Sequence, residues 1–394
     1  MKRSFSPTGA ALLAASVLLA ACNNDTGSTP LPGGEDEHDH DHGAESAGRL
    51  VFTHADGSNS RVYVHDLESR STLADFALVH PATAVHSSPE HRYAVIVQRD
   101  NDQVEFLDGG VYRHDDHVDE GDPAMLPFTL SGVRPTHYRH HGEQAALFFD
   151  GDSASAALSQ FHLFSDESLE SGGTLAHQTL DTAHHGIAEP LDGVVLASHA
   201  AASGDAPDGI SVFELHGDHF DDAKIAVAER LATVVGHPDV AEFAAFSYPG
   251  GNLYALDPEA GTATQVDWRD GAVDGDGDPV SALARGFDGH GEHLLVLDSN
   301  GDLHVLESSD WSHRGSIAVL DSVPASGPAP ALAVSAAGDQ AFVSDPAAPA
   351  IHIIDLEALS LEAVPLAFPP TGLAWTGVGE AHDHDGHDDH DHDH

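Results

Sequence analysis

One cysteine, Cys22, is all the thiol this chain of 394 residues has, so an internal disulfide and a multi-thiolate metal site are both excluded. Any metal site must be built from imidazole and carboxylate, a ligand set that suits zinc and, less selectively, copper, nickel or cobalt. Basic residues are almost as scarce. Only 15 Lys and Arg stand against 65 Asp and Glu, a formal charge of -50, which excludes a nucleic-acid binder because phosphate backbones are held by Lys and Arg. The balance favours cations, although a salt-rich medium selects the same acidic surface.

Long apolar runs are missing too. The main one, residues 10–21, follows Lys2 and Arg3 and is too short to span a bilayer, which is the layout of a secretory signal. It ends in Leu19-Ala20-Ala21-Cys22, which resembles the bacterial lipobox, where the cysteine becomes the lipidated first residue. Residues 1–21 are therefore expected to be a lipoprotein signal peptide and Cys22 the lipid site. Asn23 follows where an Asp would indicate inner-membrane retention. The expected location is the periplasm, lipid-anchored at the outer membrane, with no other membrane contact. Residues 22–47 are rich in Gly, Ser, Thr, Pro and acids and cannot bury enough surface to fold, so they read as a flexible tether.

From Gly48 to residue 379 the texture is short β-type runs broken by Asp-Gly, Pro-Gly and Asn-Gly turns. Paired strand signals recur there. They are Arg49-Leu-Val-Phe with Arg61-Val-Tyr-Val, Tyr93-Ala-Val-Ile-Val with Gln103-Val-Glu-Phe-Leu, and Ala145-Ala-Leu-Phe-Phe with Gln160-Phe-His-Leu-Phe. Val194-Val-Leu-Ala with Ile210-Ser-Val-Phe and Glu242-Phe-Ala-Ala-Phe with Asn252-Leu-Tyr-Ala-Leu follow. The last are His293-Leu-Leu-Val-Leu with Asp302-Leu-His-Val-Leu, and Gln340-Ala-Phe-Val with Ile351-His-Ile-Ile. Seven pairs starting about 40 to 50 residues apart predict an all-β fold, a seven-bladed β-propeller, more economically than a β-sandwich followed by a second β domain. Short apolar stretches before later pairs, at Ser281-Ala-Leu-Ala, Ala331-Leu-Ala-Val and Thr371-Gly-Leu-Ala-Trp, are the predicted innermost strands.

Two low-complexity tracts carry the plainest chemistry. The tether holds His38, His40 and His42 alternating with Asp, and the C-terminal residues 380–394 hold His382, His384, His387, His390, His392 and His394. Imidazoles one residue apart in a flexible chain can close around a divalent ion, with the intervening carboxylates adding charge. Both segments are expected to be disordered and to gather metal loosely. A preformed site must come from the folded part, where three histidine groups stand out. His114 and His117 lie in an acid-rich stretch read as a loop; His137, His140 and His141 lie in Pro135-Thr-His-Tyr-Arg-His-His-Gly142; His184 and His185 form a doublet. If the second and third groups lie on neighbouring inner strands, His137 converges with His184 or His185, and His114 or His117 folds in from above to complete a tetrahedral His-rich zinc site. For any one of 32 histidines a surface or capping role is the simpler reading.

Weaker candidates are His86, at an inner-strand position one blade earlier, and Asp274-Gly-Asp-Gly-Asp278, which has calcium-loop spacing but no later bidentate Glu and reads better as a solvated turn. His290-Gly-Glu-His293 reads as a polar turn.

The chain resembles the periplasmic zinc metallochaperones of the AztD type, which accompany a zinc ABC importer. The resemblance is carried by Gly48-Arg-Leu-Val, the stretch from His114 to His117, the motif Pro135-Thr-His-Tyr-Arg-His-His-Gly-Glu-Gln-Ala-Ala-Leu-Phe-Phe-Asp-Gly151, and His184-His-Gly-Ile-Ala-Glu-Pro-Leu-Asp-Gly193. It implies a seven-bladed propeller, a tight Zn2+ site with His117, His137 and His185 as ligands, His114, His140, His141 and His184 as near neighbours, and a partner in the importer's solute-binding protein. The chain departs from the pattern in the fifth blade. Those relatives have a Cys-Pro segment, a Leu-His-Gly-Glu step and a second cysteine there, whereas this chain reads Gly236-His-Pro-Asp-Val-Ala-Glu242, with His237 the nearby imidazole.

The expected function is therefore collection and transfer of zinc, and not catalysis. No Gly-x-Ser-x-Gly elbow, His-Glu-x-x-His or phosphate-binding glycine loop is present. The rivals are a zinc enzyme with an open coordination position and a propeller scaffold whose tails only store metal. A closed four-ligand site favours carriage, an open site over a deep channel favours catalysis, and no folded site favours the scaffold.

Overall fold

The computed structural model describes residues 46–379, apart from 57–58, 115–116, 192, 208, 218, 227–232, 238–239, 247–251 and 258–261. The expected signal peptide with Cys22, the tether histidines His38, His40 and His42, and the six tail histidines lie outside the described residues. The last two tether residues do not. Ser46 Oγ donates to Glu120 Oε1 at 2.7 Å and the Ala47 carbonyl accepts from Trp375 Nε1 at 3.3 Å, so the folded part begins slightly before Gly48.

The chain is all-β, with a single short α-helix at Asp166–Glu170 among the described residues. Those residues form seven four-stranded antiparallel sheets and a two-stranded hairpin. All seven strand pairs expected from sequence are hydrogen-bonded neighbours, and each supplies the two middle strands of one sheet. The second sheet runs Ala84–Ser87, Tyr93–Gln98, Gln103–Asp108, Ala124–Ser131, and the third runs Pro135–His141, Gln144–Phe149, Gln160–Phe164, Ala176–Thr179. The fourth runs Ala188–Leu191, Val194–His199, Gly209–His216, His219–Ala226, and the sixth runs Ala282–Phe287, His293–Asp298, Asp302–Glu307, His313–Ala318. The first sheet differs. Its edge strand is Gly372–Thr376, the last of the described strands, which pairs with Arg49–Asp56.

The middle strands are apolar on both faces because each face packs on a different neighbour. Tyr93, Val95 and Val97 join Leu147 and Phe149 of the third sheet, while Ala94 and Ile96, between them in sequence, join Val51, Val62 and Val64 of the first. Phe148 and Phe161 pack on Val195, Ala197 and Phe213 of the fourth sheet. Leu50, Phe52 and Trp375 of the first sheet pack on Phe342 and Ile351 of the seventh. A large-to-small change at a site such as Phe148 costs about 3 to 5 kcal/mol.

The stretch from Val111 to Glu120 is not the loop expected from its acidic sequence. It is a hairpin, Val111–His114 against His117–Glu120, inserted between the last two strands of the second sheet, with His114 and His117 paired at its tip. Arg49 ties the hairpin base to the body, donating from Nη1 to the Gly121 carbonyl at 2.8 Å.

Candidate metal centre

His137 and His185 are brought together. His137 lies on Pro135–His141, the edge strand of the third sheet, just after a register slip against Gln144–Phe149. An irregularity of this kind re-aims the side chain beside it. His185 is not on an inner strand, as expected, but on the connection from Ala176–Thr179 to the fourth sheet's first strand, Ala188–Leu191. The edge strands Pro135–His141 and Ala188–Leu191 are neighbours there, and Arg139 Nε lies 3.6 Å from Glu189 Oε2 across them. Burial pushes the Glu189 carboxyl up to about 7 despite the guanidinium beside it.

His184 aims its neighbour. It is buried, its Nε2 lies 3.0 Å from the Ser198 carbonyl and 3.2 Å from Ser198 Oγ, and its Nδ1 lies 3.2 Å from Thr182 Oγ1. The ring of His184 is thus committed to the fold, and the alternation of the doublet turns His185 the opposite way. Gly186 makes the turn possible, since a Cβ there would fall on Ser198 Oγ and press on Phe148.

His185 Nε2 faces His137 Nε2 at 3.2 Å, and His185 Nδ1 faces Asp150 Oδ2 at 3.0 Å. Asp150 is buried at the end of the third sheet's second strand, and Arg99 Nη2 donates to the same oxygen at 2.8 Å. Burial by itself raises this carboxyl, but hydrogen bonds from His185, Thr136 and Arg99 outweigh it and hold Asp150 below the usual range. The carboxylate therefore takes the Nδ1–H of His185, which leaves the lone pair on Nε2, pointing at His137. The hydrogen bond to Asp150 also raises the His185 pKa, whereas burial, then the charge of His185, depress His137 to about 4. Nitrogens that share a tetrahedral zinc at about 2.0 to 2.1 Å are about 3.3 to 3.4 Å apart. The pair has nearly that spacing. An open cavity lined by Arg99, Arg134, Asp150 and His185 gives access from solvent.

The remaining expected ligands are elsewhere. His140 shares a strand face with Tyr138, opposite to His137, and its ring centroid is 6.0 Å from the Tyr138 ring. His141 ends the strand, about 13 Å along the backbone from His137 by strand rise. His117 Nε2 lies 3.6 Å from Asp119 Oδ1 on the hairpin, and the side chain of His114 is outside the described residues. His86 is half-buried and stacked on Tyr138 at 4.9 Å, its pKa lowered to about 4 chiefly by desolvation. Among the described residues no group of three or more His, Cys, Asp and Glu is arranged to hold a metal, so the full tetrahedral set expected from three histidine groups is not assembled. Side chains of residues 236–242, where a fifth-blade ligand was sought, are not described. Asp274 Oδ1 accepts the backbone N–H groups of Asp276 and Asp278, both at 2.9 Å, which is a self-closed turn. The polar turn expected at His290 is present, closed by the Gly291 N–H to the Asp288 carbonyl at 3.1 Å, and His293, which opens the strand after it, is buried between Asp288 and Arg314.

Sequence reasoning missed Asp150, Thr182 and Ser198, which are single polar residues near strand ends with no repeated motif. It also missed a second imidazole pair in the sixth sheet.

No protein-family model matches the chain. A curated relative, the zinc chaperone AztD of Citrobacter koseri, is 26% identical over 169 residues, 41% of this chain and 39% of that protein. The aligned region thus spans about two fifths of the relative's length. The crystal structure of Citrobacter koseri AztD superposes with a TM-score of 0.65 at 18% identity, covering 85% of this chain and 99% of that one. In fold the chain is AztD-like. Its likeness to the AztD fold extends to the apo form of the same protein, with a TM-score of 0.64 and the same coverage. A protein of unknown function from Desulfotomaculum acetoxidans follows with a TM-score of 0.55 at 10% identity.

Proposed function

We propose that this protein is a zinc chaperone that collects Zn2+ through its histidine-rich segments, holds it at His137 and His185, and passes it by ligand exchange to the solute-binding protein of a zinc importer. The observation that carries the reading is the pair of imidazole nitrogens 3.2 Å apart, one of them oriented by a buried carboxylate. Likeness to a protein named as a zinc chaperone supports it.

Two protein nitrogens leave coordination positions open, and open positions are what exchange needs. Incoming imidazoles can add before the outgoing ones leave. His117 and the tail histidines supply such imidazoles. Arg113 Nη2 donates to the Gly379 carbonyl at 2.7 Å, and Ser46 bonds Glu120. Both histidine-rich segments therefore join the folded body at the hairpin that bears His114 and His117. A tail of fifteen residues reaches about 50 Å when extended.

The seven sheets are the blades of a closed seven-bladed propeller in this reading. Support comes from the last strand completing the first sheet and from the apolar packing of the seventh sheet on the first. Export, lipidation at Cys22 and an outer-membrane periplasmic location belong to the same proposal and rest on the sequence of residues 1–23. Zinc transfer is tested by incubating the loaded protein with the purified solute-binding protein. Movement of zinc faster than the free ion is released supports a chaperone, and transfer limited by release contradicts it.

A further inference from the structure

The sixth sheet carries a second imidazole pair, far from any doubled-histidine motif. His304 lies on Asp302–Glu307 and His313 opens the adjacent strand, His313–Ala318. Pairing of these strands slips between Val305 and Leu306, so that His313 stands opposite Leu306. The bulge turns its ring back along the sheet. His304 Nδ1 and His313 Nε2 face each other at 3.2 Å, the same spacing as the His137 and His185 nitrogens.

Each outer nitrogen has a carboxylate. His304 Nε2 lies 3.1 Å from Asp298 Oδ2, and Asp298 is fully buried, its other oxygen accepting the backbone N–H groups of Asn300 and Asp302, both at 2.9 Å. Burial raises the Asp298 carboxyl, but its hydrogen bonds from His304 and Asp302 prevail and keep it ionised. On the far side, His313 Nδ1 lies 3.7 Å from Asp270 Oδ2. A carboxylate beyond an imidazole fixes the N–H on that side and leaves the opposite nitrogen basic, the usual arrangement behind a metal-bound histidine. Asp298 holds the N–H of His304 on its own side, so the Nδ1 lone pair of His304 faces His313 Nε2 across the gap. A cation there would take a lone pair from each ring, and about 3.3 to 3.4 Å is the span of two ligands on one tetrahedral ion.

We propose that His304 and His313 form a second transition-metal site, taking a zinc-class divalent ion between His304 Nδ1 and His313 Nε2, with water in the open positions, Asp298 holding the His304 ring and Asp270 adding negative charge beside His313. Imidazole ligands select zinc, cobalt or copper over calcium and magnesium. The site stands in a different sheet from His137 and His185 and does not depend on them.

Trp268 makes the site readable. It is fully buried, and its ring meets that of His304 edge-on at 5.3 Å. In the full-length protein, Co2+ is titrated while tryptophan fluorescence is followed. A saturable quenching phase, reversed by excess Zn2+, is expected in the parent and in His137→Ala. In His313→Gln the phase should vanish or need more than about tenfold more Co2+. Absence of quenching in the parent, or equal quenching in His313→Gln, overturns the proposal. If His313→Gln alters the metal-free emission, zinc-edge anomalous diffraction from parent crystals grown with zinc decides instead. A peak between the two nitrogens supports the site, and none overturns it.

Discussion

His137 and His185, 48 residues apart in sequence, place their Nε2 atoms 3.2 Å apart. Strand pairing in one sheet positions the first and a glycine-enabled turn between two sheets positions the second. The contact therefore depends on the tertiary fold, and its chemistry can be tested one residue at a time.

Asp150 acts behind the pair. Asp150→Asn keeps the shape but removes the charge that fixes the Nδ1–H of His185, so zinc affinity should fall roughly 10- to 100-fold with the fold retained. Competition with a chromophoric chelator reads the loss. Unchanged affinity would mean that the carboxylate serves only Arg99.

His184 has the opposite profile. Loss of its ring removes its hydrogen bonds to the buried Ser198 carbonyl and to Thr182 Oγ1, so His184→Ala should destabilise the protein by about 1 to 3 kcal/mol in denaturant unfolding. Its effect on zinc should appear only through misplaced His185. Loss of affinity without loss of stability would instead mark His184 as a ligand.

Acid should act on the pair in two steps. Zinc needs both Nε2 lone pairs, and the raised pKa of His185 lets protons compete from above pH 6.5 downward, while His137, at about 4, stays neutral over that range. Affinity should therefore begin to fall above pH 6.5 and drop steeply below it. Stability of the metal-free protein follows the same shifts with opposite signs. The raised His185 contributes stability that is full below its unfolded pKa and is lost as pH rises through its folded one. The depressed His137 contributes stability above its unfolded pKa of about 6.5 that is lost as pH falls towards 4. Chelator competition and thermal melts across pH 5 to 8 measure both, and a flat affinity profile would indicate carboxylate ligands.

The fold was legible where burial writes a pattern. Middle strands such as Tyr93–Gln98 are buried on both faces and read as apolar runs, and all seven pairs were visible for that reason. Outer strands were not, because a strand like Ser71–Ala77 is largely exposed and its composition is that of a loop. The hairpin Val111–His114 with His117–Glu120 was hidden for the same reason. At the site, the doubled histidines drew notice, but the roles within them were set by neighbours remote in sequence. Only the connection between the third and fourth sheets shows that His184 turns to Ser198 and His185 to Asp150. His304 and His313 gave no signal, since their meeting depends on a bulge that sequence periodicity does not announce.

The histidine-rich segments should add capacity rather than affinity. Removal of residues 35–42 and 380–394 should lower the number of zinc ions bound and leave a tight site. Loss of all tight binding on trimming would place the function in the tails.

The most direct measurement is zinc affinity, by chelator competition, of the protein lacking residues 35–42 and 380–394 with His137 and His185 both replaced by Ala. His185 lines the open cavity and neither residue belongs to the apolar clusters of the third and fourth sheets, so the sheet cores stay intact. Tight binding at this centre should disappear, leaving only what the His304 and His313 pair holds. Zinc held by the double variant as tightly as by its parent would contradict it.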